Sequence, residues 1–197
     1  MRDVSAVVGP RCSTVCFRPF SFRGNYACYS DYVSSDIHGY PEWEKTDIDA
    51  SETLLSYLES LSKALQLPSL KNGRITLVGF SKGAVVLSAL LKTRNRSLLE
   101  HVDKFIFIDP GLSVPGRLFP FTPEEYDLFP SEIPIEIYST GYQMSDPERP
   151  WLRKEIVDFA SRSGATLHPI LSNYERNLDT HFKSITVAIS TSFKDSY

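Results

Sequence analysis

The chain predicts an α/β fold, a mostly parallel sheet covered by helices on both faces. Three observations carry this. Short apolar, β-favouring runs alternate with segments of helical periodicity along most of the 197 residues. Within Lys104–Ile108, the continuous apolar run Phe105-Ile106-Phe107-Ile108 suits a strand buried on both faces. Third, Gly79-Phe80-Ser81-Lys82-Gly83 lies between an apolar strand-like run and an apolar helix-like run, where a tight strand–turn–helix junction belongs.

The elements follow in order. Thr14–Phe17 reads as a short strand ended by Arg18-Pro19, and Phe20 to Lys45 as a long irregular stretch rich in aromatics. Loops of that length usually line sites or form lids. From about Thr46 to Gln66, Leu54, Leu58, Leu61 and Leu65 recur at helical spacing, and Pro68 and Asn72-Gly73 end the helix. Ile75–Phe80 is a strand and Lys82–Lys92 its helix, followed by the strand Lys104–Ile108. Pro123 opens a short helix to Phe129, since proline suits the first helical position. Ile135–Tyr138 is the next strand. Pro150 opens a helix to about Ser163 that Gly164 stops. Thr166–Leu171 is the last strand, and a final helix covers about Thr180 to Phe193. With no repeat or low-complexity segment, residues 1–197 read as a single domain.

Composition excludes several classes. A net charge of −3 with no basic run argues against a nucleic-acid partner. Lys92, Arg94 and Arg96 read as the solvated C-terminal end of a helix, where cations suit the dipole. Cys12, Cys16 and Cys28 are an odd set without C-x-x-C spacing, as expected of reduced, intracellular thiols. No metal-ligand spacing or dinucleotide fingerprint appears, so no cofactor is implied. A membrane span from Ile75 to Leu91 would hold Lys82 near its centre at about 3 kcal/mol, so the segment reads as core and no transmembrane segment is expected. Met1-Arg2-Asp3-Val4-Ser5 has the character of neither a signal nor a transit peptide.

The pattern G-x-S-x-G at Gly79–Gly83 is that of a nucleophile elbow. Its glycines are expected to let strand and helix crowd the turn while Ser81 takes a strained conformation. The Lys82 backbone N–H would then sit at a helix N-terminus, suited to an oxyanion. In such sheets the site lies beyond the carboxyl ends of the strands. After the serine come Asp109, after Lys104–Ile108; Asp146, after Ile135–Tyr138; and His181, after the last strand. Serine, acid, histidine is the chain order of the α/β-hydrolase triad. A serine needs a histidine to take its proton, and the histidine needs a carboxylate to hold its tautomer. Ser81, Asp146 and His181 are therefore the predicted triad, with Asp109 as the alternative acid; His38, His101 and His168 read as ordinary residues.

Val78-Gly79-Phe80-Ser81-Lys82-Gly83, Tyr142-Gln143 with Asp146-Pro147 and Trp151, and His181-Phe182 carry a more specific likeness. With Phe17-Arg18-Pro19, Phe22 and Cys28-Tyr29-Ser30-Asp31-Tyr32-Val33, they resemble a family of uncharacterised, α/β-hydrolase-like mitochondrial proteins. Its human member is known by a chromosome-2 open-reading-frame label. The resemblance covers roughly residues 14 to 185. It implies a serine-hydrolase fold, a mitochondrial setting and the sites Ser81, Asp146 and His181. It also implies an earlier strand ending in a Phe-Pro-Gly-like turn, which would supply a second oxyanion donor. Val8-Gly9-Pro10 precedes the Thr14–Phe17 run and is a poor substitute, so the chain reads as N-terminally incomplete.

Two functions are expected from this. One is a serine hydrolase acting on an ester, thioester or lipid-like acyl substrate. The other is a catalytically idle scaffold of the same fold with a binding or mitochondrial support role. Phe20–Trp43 and Leu112–Phe129 are rich enough in aromatics to form an acyl pocket or lid, or simply to pack on the sheet.

Overall fold

A computed structural model describes residues 14–24, 26–45, 47–66, 73–170 and 177–193. Its centre is a four-stranded parallel sheet of β3 (Ile75–Phe80), β4 (Val102–Ile108), β5 (Ile135–Ser139) and β6 (Thr166–Pro169), hydrogen-bonded in that order. A small antiparallel hairpin, β1 (Ser21–Arg23) and β2 (Tyr26–Cys28), precedes it. The principal helices are α1 (Ala50–Leu65), α2 (Ala84–Thr93), α6 (Pro150–Ser163) and α7 (Leu178–Ser192). Short helices α3 (Arg96–Leu99), α4 (Pro123–Tyr126) and α5 (Gly141–Met144) lie in the connections.

The β4 run explains the layering. Phe105, Ile106, Phe107 and Ile108 are all fully buried, and successive side chains point to opposite faces of the sheet. Phe105 and Phe107 pack with Ile137 and residues of α1, α2 and α6. Ile106 and Ile108 pack with Tyr138 and with Ala188 and Ile189 of α7. Each such side chain stabilises the fold by about 1.5–3 kcal/mol through burial. The expected α/β class with helices on both faces is what the described residues show.

Most ends are set by local chemistry. Asp49 caps α1, accepting from the Ser51 and Glu52 amides at 2.9 and 3.0 Å. Thr122 and Glu125 form a capping box around α4, with Pro123 in its first turn. Pro150 opens α6, and Gly164, at φ +70°, ends it.

Two expectations change. Residues 14–19 form no strand, and Val15 and Phe17 are exposed; the pairing is instead in the β1–β2 hairpin. In α1 the inward stripe is Ala50, Leu54, Leu55 and Leu58, whereas Leu65 is 59% exposed because the helix runs past the core. Cys12, Pro68, Asn72, Leu171 and Val8-Gly9-Pro10 lie outside the described residues.

The Leu112–Phe129 segment is core cover. Phe119 stacks on Phe159 at 3.9 Å between ring centroids, and the Leu118 carbonyl accepts from the buried Ser88 hydroxyl at 2.7 Å. The Glu155 carboxylate accepts from the amides of Gly116, Leu118 and Phe119, which holds the segment down. Among the described residues, β3 pairs only with β4, and Val78 on it is 43% exposed. No helix among them is long and apolar enough to cross a membrane.

Candidate active site

Ser81 follows β3 directly and begins a 3-10 turn, Ser81–Gly83, that leads into α2. Its φ is +52°, a left-handed conformation a non-glycine residue takes only where its surroundings enforce it. Gly79 shows why the junction is so tight. A Cβ there would stand 2.8 Å from Leu87 Cγ and 2.9 Å from the Gly83 carbonyl oxygen. Gly83 differs from expectation: its φ is −60°, and a Cβ would meet only the Tyr29 hydroxyl, at 3.7 Å. One glycine is sterically required here, not two. The Lys82 amide belongs to the first turn of the helical segment, where N–H groups lack intrahelical acceptors.

Asp109 is the residue directly after β4. It is fully buried and also left-handed, at φ +44°. Its carboxylate is held by the end of the neighbouring strand: Oδ1 accepts from the Thr140 amide at 2.8 Å and Oδ2 from the Thr140 hydroxyl at 2.7 Å. Oδ2 also lies 2.6 Å from His181 Nδ1. With Asp109 ionised, Nδ1 carries the proton and donates it, leaving the Nε2 lone pair free.

His181, in the first turn of α7, is 4% exposed. Rings flank it: Phe80 and Tyr142 each have their centroid 4.5 Å from the imidazole centroid. Phe80 immediately precedes Ser81 in the chain, and its ring is what meets the imidazole. Behind the acid, a Cβ on Gly111 would overlap the Gln143 amide, whose nitrogen donates to the Asp109 carbonyl at 3.4 Å.

Asp146 sits elsewhere in the loop after β5. Its Oδ1 accepts from the Glu148 amide at 2.9 Å, and its Oδ2 pairs with Arg149 Nε at 2.7 Å. It organises the entry to α6. The carboxylate on His181 Nδ1 is that of Asp109, the alternative acid, because β5 presents Thr140 to Asp109 while Asp146 comes only after α5. Thr140, Phe80 and Tyr142 are contributors that sequence reasoning missed. A hydroxyl at the carboxyl end of a neighbouring strand was the available signal for Thr140.

The remaining histidines lie apart from this constellation. His168 stacks on Tyr138 at 4.5 Å, and His38 is exposed in a turn closed by its amide to Asp36. Among the described residues, no group of three or more His, Cys, Asp or Glu side chains is placed to hold a metal ion.

The profile of the C2orf69 family matches residues 61–163, more than half of the 197. The chain belongs to the C2orf69 family. The mouse (Mus musculus) mitochondrial protein C2orf69 homolog is 27% identical over 147 residues, covering 70% of this chain and 40% of that protein. The zebrafish (Danio rerio) homolog is 25% identical over 192 residues, covering 81% and 55%. Human (Homo sapiens) mitochondrial protein C2orf69 is 34% identical over 106 residues, covering 49% and 28%. The chain thus spans about half or less of the length of these relatives. Their names support a mitochondrial location by family resemblance. No solved structure matches the chain significantly.

Proposed function

We propose that this C2orf69-family chain is a serine hydrolase of α/β-hydrolase type, acting on an ester or thioester of a small acyl or lipid-like group in mitochondria. The observation that carries the reading is the buried 2.6 Å contact of His181 Nδ1 with Asp109, with the imidazole against the Phe80 ring beside a left-handed Ser81. An ordinary strand-to-helix turn has no use for a strained serine that directly follows a ring packed on a buried, carboxylate-bound histidine.

In this reading Ser81 Oγ attacks the carbonyl carbon while His181 Nε2 takes the hydroxyl proton. Asp109 keeps the imidazole in the correct tautomer and stabilises the imidazolium. The Lys82 N–H, at the start of a helix, hydrogen-bonds the oxyanion. Collapse of the tetrahedral intermediate breaks the bond to the alcohol or thiol, which leaves with the proton from His181. Water then attacks the acyl-serine, giving its proton to His181, and the second collapse releases the carboxylic acid and restores the Ser81 hydroxyl. Hydrolysis of p-nitrophenyl esters by the full chain tests this. Turnover that disappears in Ser81→Ala and in His181→Ala supports it; equal turnover in wild type and Ser81→Ala contradicts it.

A further inference from the structure

Lys82 does more than lend a backbone amide. Its side chain turns toward the hairpin, where Nζ donates to the Gly39 carbonyl at 3.0 Å and lies 4.2 Å from the Tyr26 ring centroid and 6.0 Å from that of Tyr40. The two tyrosines meet each other, with ring centroids 4.9 Å apart and the Tyr40 hydroxyl donating to Tyr26 Oη at 3.3 Å. Ser113, in the segment after β4, also hydrogen-bonds Tyr26, and the Arg149 charge, from the segment after β5, reaches it; together these hold the Tyr26 phenol below its usual range. Lys82, from beyond the carboxyl end of β3, therefore meets Tyr26. That is the side of a parallel sheet where substrates bind.

The donors there outnumber the acceptors. Tyr26 Oη accepts from the Tyr40 hydroxyl. An ammonium has three N–H groups, and the acceptors Lys82 meets are one carbonyl and the aromatic faces. The nearby Arg149 is already matched by Asp146. The acids facing Lys82 are Asp36 and the Cys28 thiol. Asp36 is occupied by the amides of His38 and Tyr40 and by Arg117. A half-buried ammonium on the residue after Ser81, without a carboxylate of its own, has N–H groups left to offer an anion.

We infer that Lys82 Nζ and the Tyr26 hydroxyl bind a negatively charged group of the substrate, a carboxylate or phosphate carried several bonds from the scissile carbonyl, and so select anionic acyl esters. This deepens the serine-hydrolase reading and rests on it.

The test compares mono-p-nitrophenyl adipate with p-nitrophenyl hexanoate, which are alike in length and differ in the terminal charge. The readout is the ratio of their kcat/KM values on the full chain. A charge-assisted contact predicts a ratio of about ten or more in wild type, falling toward one in Lys82→Met, kept in Lys82→Arg and reduced in Tyr26→Phe. Competition reads the same contact without turnover: monomethyl adipate should slow fluorophosphonate labelling of Ser81 in wild type and not in Lys82→Met. Labelling or turnover without anionic preference, or a preference that survives Lys82→Met, overturns this inference and leaves the hydrolase standing. Absence of both labelling and turnover in the folded chain sinks the hydrolase reading, and the inference with it.

Discussion

Asp109 Oδ2 and His181 Nδ1 lie 2.6 Å apart, and both side chains are shut away from solvent. The pair joins the end of β4 to the start of α7, the helix that covers the sheet face holding Ile106 and Ile108. The carboxylate that meets His181 is therefore set by tertiary packing, and its proposed role can be told from that of Asp146 by substitution. Asp109→Asn should keep the fold and lower turnover of a p-nitrophenyl ester by about four orders of magnitude, through loss of the histidine tautomer. Asp146→Ala should leave the chemistry in place. By stranding the largely buried Arg149 it should lower stability in urea unfolding by about 3–5 kcal/mol.

Thr140 holds the Asp109 carboxylate through its amide and its hydroxyl. In Thr140→Val the amide still reaches Asp109 Oδ1, but the hydroxyl bond to Oδ2 is gone. A hydrogen bond to an ionised carboxylate contributes about 1.5–3 kcal/mol. Expected is a loss of about tenfold or more in kcat with KM little changed, seen in steady-state kinetics. Thr140→Ser should recover most of it.

The two elbow glycines should behave differently. Gly79→Ala drives a methyl into Leu87 and the Gly83 carbonyl and should lower stability by about 1–3 kcal/mol, with activity lost as the elbow shifts. Gly83→Ala places a methyl in ordinary contact with Tyr29, at helical backbone angles, and should change stability by less than about 1 kcal/mol. Denaturant unfolding of both variants measures the contrast.

Burial pushes the Lys82 ammonium from 10.5 down to about 8, against the opposing pull of Cys28 and Asp36. Between those two values the unfolded chain holds the proton that the folded chain has released, so stability rises with pH across this window. The cost of burying the charge is present in full below about pH 8 and is relieved as the pH climbs toward 10.5. Wild type should therefore gain on Lys82→Met between pH 7 and pH 10, by about 1 kcal/mol, since a half-buried ammonium remains partly solvated. Paired urea titrations at the two pH values check the sign.

Where local chemistry decides, the sequence was enough to place the elements. Pro150 and Gly164 bracket α6 at the residues expected, and the unbroken Phe105–Ile108 run could only be an interior strand. The Thr14–Phe17 run looked equally β-favouring, but a strand needs a partner, and the pairing went to the hairpin around Gly24, whose φ is +57°. Gly24-Asn25 between two aromatic runs was the turn signal for it.

The site divides the same way. The turn at Ser81 was legible because it is built from adjacent residues, and the placement of His181 because it comes after the last strand. Asp109 over Asp146 was not, since that choice depends on how α7 docks across β4 and β5. The meeting of Lys82 with Tyr26, Gly39 and Tyr40 likewise joins segments far apart in sequence.

In the proposed mechanism Ser81 is an activated nucleophile. Its most direct measurement is labelling of the purified, folded chain with a fluorophosphonate, followed by mass-spectrometric mapping of the adduct. Expected is a single adduct on Ser81, lost in Ser81→Ala and strongly slowed in His181→Ala and Asp109→Asn. A folded chain that takes up no label, or carries it with equal speed at another residue in Ser81→Ala, would rule out Ser81 as the nucleophile and leave an idle scaffold as the function of this fold.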